Sequence, residues 1–126
     1  MARVTVDGDR VVVRLGPGET AAARRRTIRL PVAALRAVGV ETGWWRALRG
    51  EAGRGRWMPG RCVGTRYGPA GEDFVAVRAD GRPVLVLDFG RGAPFDRVAL
   101  TVPDPERTAR ELRALMPEGP PSSGTP

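Results

Sequence analysis

Val98-Ala99-Leu100-Thr101-Val102-Pro103-Asp104-Pro105-Glu106-Arg107-Thr108-Ala109-Arg110-Glu111-Leu112-Arg113-Ala114-Leu115-Met116-Pro117 is the stretch where the hydrophobic period of the chain changes, and it decides the fold class. Val98, Leu100 and Val102 alternate at the period of two that a strand with a buried face requires. From Asp104 onward the period is helical. Asp104 can accept from orphan amides, Pro105 suits the first helical position, and Glu106 lies near the positive end of the helix dipole. Ala109, Leu112, Leu115 and Met116 form an apolar stripe, with Arg107, Arg110 and Arg113 on the wetter side. The pattern predicts one helix over 104–116, stopped by Pro117. Residues 117–126 have nothing to bury and read as a disordered tail.

Working back from that helix, the chain reads as short strands and turns. Arg3-Val4-Thr5-Val6, Asp7-Gly8, then Val11-Val12-Val13-Arg14-Leu15 is the pattern of a hairpin. A two-residue type I′ turn at Asp7-Gly8 would set Val4 opposite Val11 and Ala2 opposite Val13, with Val4, Val6, Val11, Val13 and Leu15 on one face. Thr27-Ile28-Arg29-Leu30 is a strand ending near Pro31, and 32–40 reads as a brief turn followed by another strand. The region 43–60 is glycine-rich and reads as a long connection, with a short helix over 44–49 as one option. Cys62 to Tyr67 is a strand, followed by a Gly-Pro-Ala-Gly turn at 68–71. A second Asp-Gly, at Asp80-Gly81, predicts that Phe74-Val75-Ala76-Val77 and Val84-Leu85-Val86-Leu87 pair as a hairpin. Both faces of that pair are apolar, which calls for a central position covered on each side.

Composition removes several functions. The 126 residues include no Lys, His, Asn or Gln, and the only serines are Ser122 and Ser123. The commonest general base, the Schiff-base amine and the P-loop cation are therefore missing, so Asp88-Phe89-Gly90 and Gly16-Pro17-Gly18-Glu19-Thr20 carry neither kinase nor P-loop chemistry. Cys62 is the only cysteine and lies in a strand, which fits a buried structural thiol in a reducing compartment. No catalytic residue, metal ligand or cofactor is expected. No segment has the ~20 consecutive apolar residues of a membrane helix, so the expectation is a soluble, cytoplasmic protein of one domain over 1–116.

Charge is the informative quantity. The net charge of +7 is distributed as 0 over 1–23, +9 over 24–66 and −2 over 67–126. Arginine-rich composition of this kind is also what a G+C-rich genome imposes, so distribution counts for more than the total. Two clusters stand out in the middle third: Arg24-Arg25-Arg26, and Trp44, Trp45, Arg46, Arg49, Arg54, Arg56 and Trp57. Aromatics beside arginines can form a protein hot spot, stack on bases or anchor at headgroups. The competing reading is a solvated arginine-rich loop with at least one tryptophan in the core.

Taken in order, Thr27-Ile28-Arg29-Leu30-Pro31 with the following Val32 and Leu35, Met58-Pro59-Gly60, Gly64-Thr65, Phe74-Val75-Ala76-Val77, Pro83-Val84-Leu85-Val86, Phe95-Asp96-Arg97-Val98 and Val102-Pro103-Asp104-Pro105-Glu106 resemble bacterial pleckstrin-homology-like (PH-like) domains over residues 3–116. The resemblance implies a mainly β fold: a bent antiparallel sheet or barrel of about seven strands, its open end capped by one C-terminal helix that sends Leu112, Leu115 and Met116 into the core. It also implies a binding module, sometimes at membranes, rather than a catalyst. Family members that read phosphoinositides use basic residues on a longer first-to-second strand loop, whereas Val6-Asp7-Gly8-Asp9 is tight and acidic. The expected function is an interaction module for a protein or peptide partner, with peripheral contact to an anionic membrane as a further option. The alternative is a nucleic-acid-binding protein using the arginines of 24–66.

Overall fold

The computed structural model describes residues 1–68 and 71–116; the expected tail at 117–126, the stop at Pro117 and part of the 68–71 turn lie outside the described residues. Among the described residues nine strands form two sheets. β1 (Arg3–Asp7), β2 (Arg10–Arg14) and β3 (Thr27–Pro31) make a three-stranded sheet in that order. β4 (Leu35–Glu41), β5 (Glu51–Met58), β6 (Arg61–Tyr67), β7 (Glu72–Arg78), β8 (Val84–Phe89) and β9 (Arg97–Leu100) make a six-stranded sheet in the order β4-β8-β9-β7-β6-β5. Three helices accompany them: α1 (Pro17–Ala23), α2 (Trp44–Ala47) and α3 (Pro105–Leu115). The fold is mainly β, and the sheets do not close into a barrel.

The first hairpin forms, with its turn moved. Val4 pairs with Val13, Val6 with Val11 and Asp7 with Arg10, so Gly8 and Asp9 are the central residues. Gly8 has φ of +62° and Asp9 does not enter positive φ, which is the pattern of a type II′ turn with Gly first, not of type I′. A slip of two residues leaves every side chain on its expected face. Val11 and Val13 are buried against Leu30 and Ile28 of β3. A one-turn 3₁₀ helix at Val32–Ala34 then carries the chain into β4, as the turn-then-strand reading anticipates.

The second hairpin does not form. β7 and β8 lie one strand apart, and β9 fills the space, parallel to β7 and antiparallel to β8. Val75 therefore faces Ala99, and Leu85 faces Leu100. Apolarity on both faces, correctly read as a sign of a central position, is what makes room for this insertion: β9 is itself apolar on both sides and is shielded best between two such strands. The turn residues behave as local chemistry dictates. Gly81 takes φ of +85°, and Asp80 accepts from the Arg82 amide at 3.2 Å. The connection over 79–83 bridges two strand spacings, about 10 Å. The parallel pair also overturns the expectation of a wholly antiparallel sheet.

The main core lies between the two sheets and α3, with Phe74, Leu85, Leu87, Val98, Leu100 and Leu112 among its buried members. α3 packs on β4 and β8. Asp104 caps it through the Arg107 amide (3.2 Å), and Arg113 donates two hydrogen bonds to the Val38 carbonyl at 3.1 and 3.0 Å. Leu112 is buried and Met116 packs at the core margin, but Leu115 is 45 % exposed, so the cap is narrower than expected. A second cluster, Val75, Val77, Val84, Ala99 and Ala47, covers the other face of the large sheet under Trp44, Leu48 and Trp57. No helix among the described residues is long and apolar enough to cross a membrane.

Candidate functional site

α1 determines where the first arginine cluster goes. Pro17 opens the helix, and the buried Glu19 carboxylate accepts from the Gly16 amide at 2.8 Å, closing the first turn. The helix ends at Arg24, which adopts the left-handed conformation (φ 57°, ψ 33°) and donates its amide to the Thr20 carbonyl at 2.8 Å. Such a conformation is uncommon for a residue bearing a Cβ and turns the chain sharply. Arg25 follows with its guanidinium 5.4 Å from the centroid of Phe95, and Phe95 packs on Phe74 at 5.7 Å.

The second cluster arrives on a strand rather than on the expected connection. Residues 51–58 form β5, an edge strand paired only with β6, and its register shifts between Ala52 and Gly55. Gly55 and Gly64 face one another across this pair with φ of +149° and +150°. A Cβ on Gly55 would lie 2.1 Å from the Val63 carbonyl oxygen, and one on Gly64 would lie 2.2 Å from that of Arg54. Only glycine fits either position. Between the β5–β6 pair and α1 lies a cleft of about 740 Å³, lined by Arg24, Arg25, Arg54 and Arg56 together with Thr65 and Phe74. Segments thirty residues apart thus bring four arginines to one concavity. Among the described residues no acidic side chain lines it, and none of the four arginines makes an ion pair or a side-chain hydrogen bond. A concave site of one sign focuses its field on an incoming anion.

The remaining expected site residues fall elsewhere. Arg26 is exposed beyond the cleft, its carbonyl accepting from the Leu15 amide. Trp44 and Trp57 are half-buried over the second cluster, and the Trp57 indole donates to the Gly53 carbonyl at 3.0 Å. Trp45 is 58 % exposed, with Arg46 5.9 Å from its ring and Glu41 3.7 Å from Arg46. Trp44, Trp45 and Arg46 belong to α2, which packs against β4 and β8, away from the β5–β6 end that holds the cleft. Arg49 is bound into the protein: it donates to both oxygens of the buried Asp73 at 2.6 and 3.1 Å, and Asp73 raises its pKa above the ordinary arginine value. The structure therefore divides the tryptophan–arginine cluster of the sequence into separate surfaces.

Cys62 is half-buried in β6, opposite Trp57 and Val77. Burial pushes its thiol pKa up, against a smaller opposing pull from Arg66, which leaves less thiolate at neutral pH. Asp88 of the kinase-like tripeptide is held by Arg97 at 2.7 and 3.3 Å. The residues that sequence reasoning missed are Gly55, Gly64, Thr65 and Phe74. The signal for the strand that carries Gly55 was present in the alternation Gly53-Arg54-Gly55-Arg56-Trp57, which has the period of two with the arginines on one face. No protein-family model, curated protein or solved structure matches the chain.

Proposed function

We propose that the chain is a non-catalytic, PH-like interaction module that docks an acidic segment of a protein or peptide partner in the arginine cleft between α1 and the β5–β6 edge. The observation that carries this reading is the convergence of Arg24, Arg25, Arg54 and Arg56 on one concave site without neutralisation inside the protein. Leaving four cations together repels and costs stability, so an anion bound there relieves the repulsion. The PH-like assignment rests on the order of the elements, with strands first and one terminal helix sending Leu112 into the core. The open sheets and the parallel β7–β9 pair depart from it. The tight Gly8-Asp9 turn keeps basic residues away from the loop used by phosphoinositide readers, which favours a protein partner.

The nucleic-acid reading needs a track of phosphate contacts. Here Arg46, Arg49 and Arg66 are tied to their own chain and do not extend the cleft into a track. The test is fluorescence anisotropy with a labelled tetraglutamate peptide and a 20-nucleotide single strand. The peptide should bind, Arg54→Glu with Arg56→Glu should abolish binding, and Arg46→Glu should leave it unchanged. Tighter binding of the strand, with a steep salt slope and equal loss in both variants, would favour the nucleic-acid reading.

A further inference from the structure

We infer that the group the cleft is built to take is a phosphoryl dianion on a side chain of the partner segment, an inference that rests on the docking role proposed above. The first argument is charge. Four arginines line the cleft and, among the described residues, no Asp or Glu does. A glutamate would bring one negative charge and two oxygens. A phosphorylated side chain brings about −1.5 to −2 and three strong acceptor oxygens, and the planar guanidinium fork pairs with such oxygens two at a time. The second argument is shape. Arg24 and Arg25 come from the end of α1 and Arg54 and Arg56 from β5, so the cleft can surround a tetrahedral group from two sides, and Thr65, which bears a hydroxyl, lines the same cleft. The third is preorganisation: the Arg25 guanidinium rests against the Phe95 ring, beside the fixed left-handed turn at Arg24, which lowers the ordering cost of binding.

The surroundings favour a phosphoryl group borne on protein. Among the described residues β5 has no strand partner on its outer side, so an extended segment can run beside the cleft. Among the described residues the exposed large apolar side chains Trp45, Met58, Tyr67, Val6 and Leu115 do not line the cleft, and Trp45 lies on α2 at the other end of the sheet, so the cleft itself offers a bilayer no exposed apolar anchor.

The experiment compares three labelled peptides of the sequence Gly-Ala-Ala-X-Ala-Ala-Gly, with X as phosphoserine, glutamate or serine, against anionic vesicles and a single-stranded DNA. The phosphoserine peptide should bind at least tenfold tighter than the glutamate peptide, and Arg54→Ala with Arg56→Ala, or Arg24→Ala alone, should remove that difference. Its affinity should also fall as pH drops from 7.5 to 5, because the phosphoryl group loses its second charge near pH 6. The groups lining the cleft that ionise are arginines only and the chain has no histidine, so this decline belongs to the ligand. Phosphoserine and glutamate peptides binding equally would overturn the inference while leaving acidic docking intact. No binding by any peptide would overturn both. Vesicles or DNA binding more tightly than the phosphopeptide would overturn the inference in favour of that surface.

Discussion

Replacing Arg49 with alanine should destabilise the protein by about 2–3 kcal/mol, although nothing in the sequence separates this arginine from its neighbours. Asp73 is 1 % exposed, and its two oxygens receive the Arg49 guanidinium at 2.6 and 3.1 Å. Removing the arginine leaves a buried carboxylate without its partner, a change that typically costs about 3–5 kcal/mol. The Arg49 side chain is 34 % exposed, so water can partly replace it, which places the expected loss at or just below the lower end of that range. Urea unfolding followed by tryptophan fluorescence would measure it, and the melting temperature should fall by roughly 10 °C. Peptide binding measured well below the new melting temperature should stay within about twofold of the parent. A loss under about 1 kcal/mol, or a loss of binding without loss of stability, would refute the reasoning and return Arg49 to the binding surface.

Gly64→Ala should cost more than about 2 kcal/mol, because the new Cβ meets the Arg54 carbonyl oxygen at positive φ; near-parental stability in chemical denaturation would show that the Gly55–Gly64 crossing is looser than described. Leu112→Ala should cost ~2–5 kcal/mol, and Leu115→Ala, at an exposed position, should stay within about 0.5 kcal/mol; equal losses would restore the wider helix cap. Cys62 should react with iodoacetamide at pH 7.5 more slowly than free cysteine, because burial raises its pKa, and should speed up in urea. The same shift favours the protonated thiol in the folded state. Its contribution is therefore full below the unfolded pKa and is lost as pH rises through the folded one, so Cys62→Ala should flatten the alkaline fall in stability.

The terminal helix was legible because capping, Pro at the first position and a 3.6-residue stripe all agree from Asp104 to Met116. The first hairpin was legible in its faces and not in its register, because Asp7-Gly8-Asp9 offers two adjacent turns and both preserve the pleat. The insertion of β9 between β7 and β8 was not legible. Local turn chemistry at Asp80-Gly81 is the same whether two strands pair directly or one strand apart, and the deciding contacts, Val75 with Ala99 and Leu85 with Leu100, are remote in sequence. Helix α1 was hidden by its opening Gly16-Pro17-Gly18, although Pro17 and Glu19 are good first-turn residues. For the site, the residue types were right and the grouping was not. Composition picked out Arg24, Arg25, Arg54 and Arg56, but only the packing of α1 over β5 and β6 brings them together, and only the pairing with Asp73 removes Arg49.

The most direct measurement is an arginine side-chain Nε–H NMR titration of the ¹⁵N-labelled protein with the tetraglutamate peptide. Cross-peaks of Arg24, Arg25, Arg54 and Arg56 should shift together along one binding isotherm, while those of Arg46, Arg49 and Arg97, held by Glu41, Asp73 and Asp88, should stay in place. Small, non-saturating shifts spread over all exposed arginines, or shifts confined to Arg46 beside Trp45, would contradict the account.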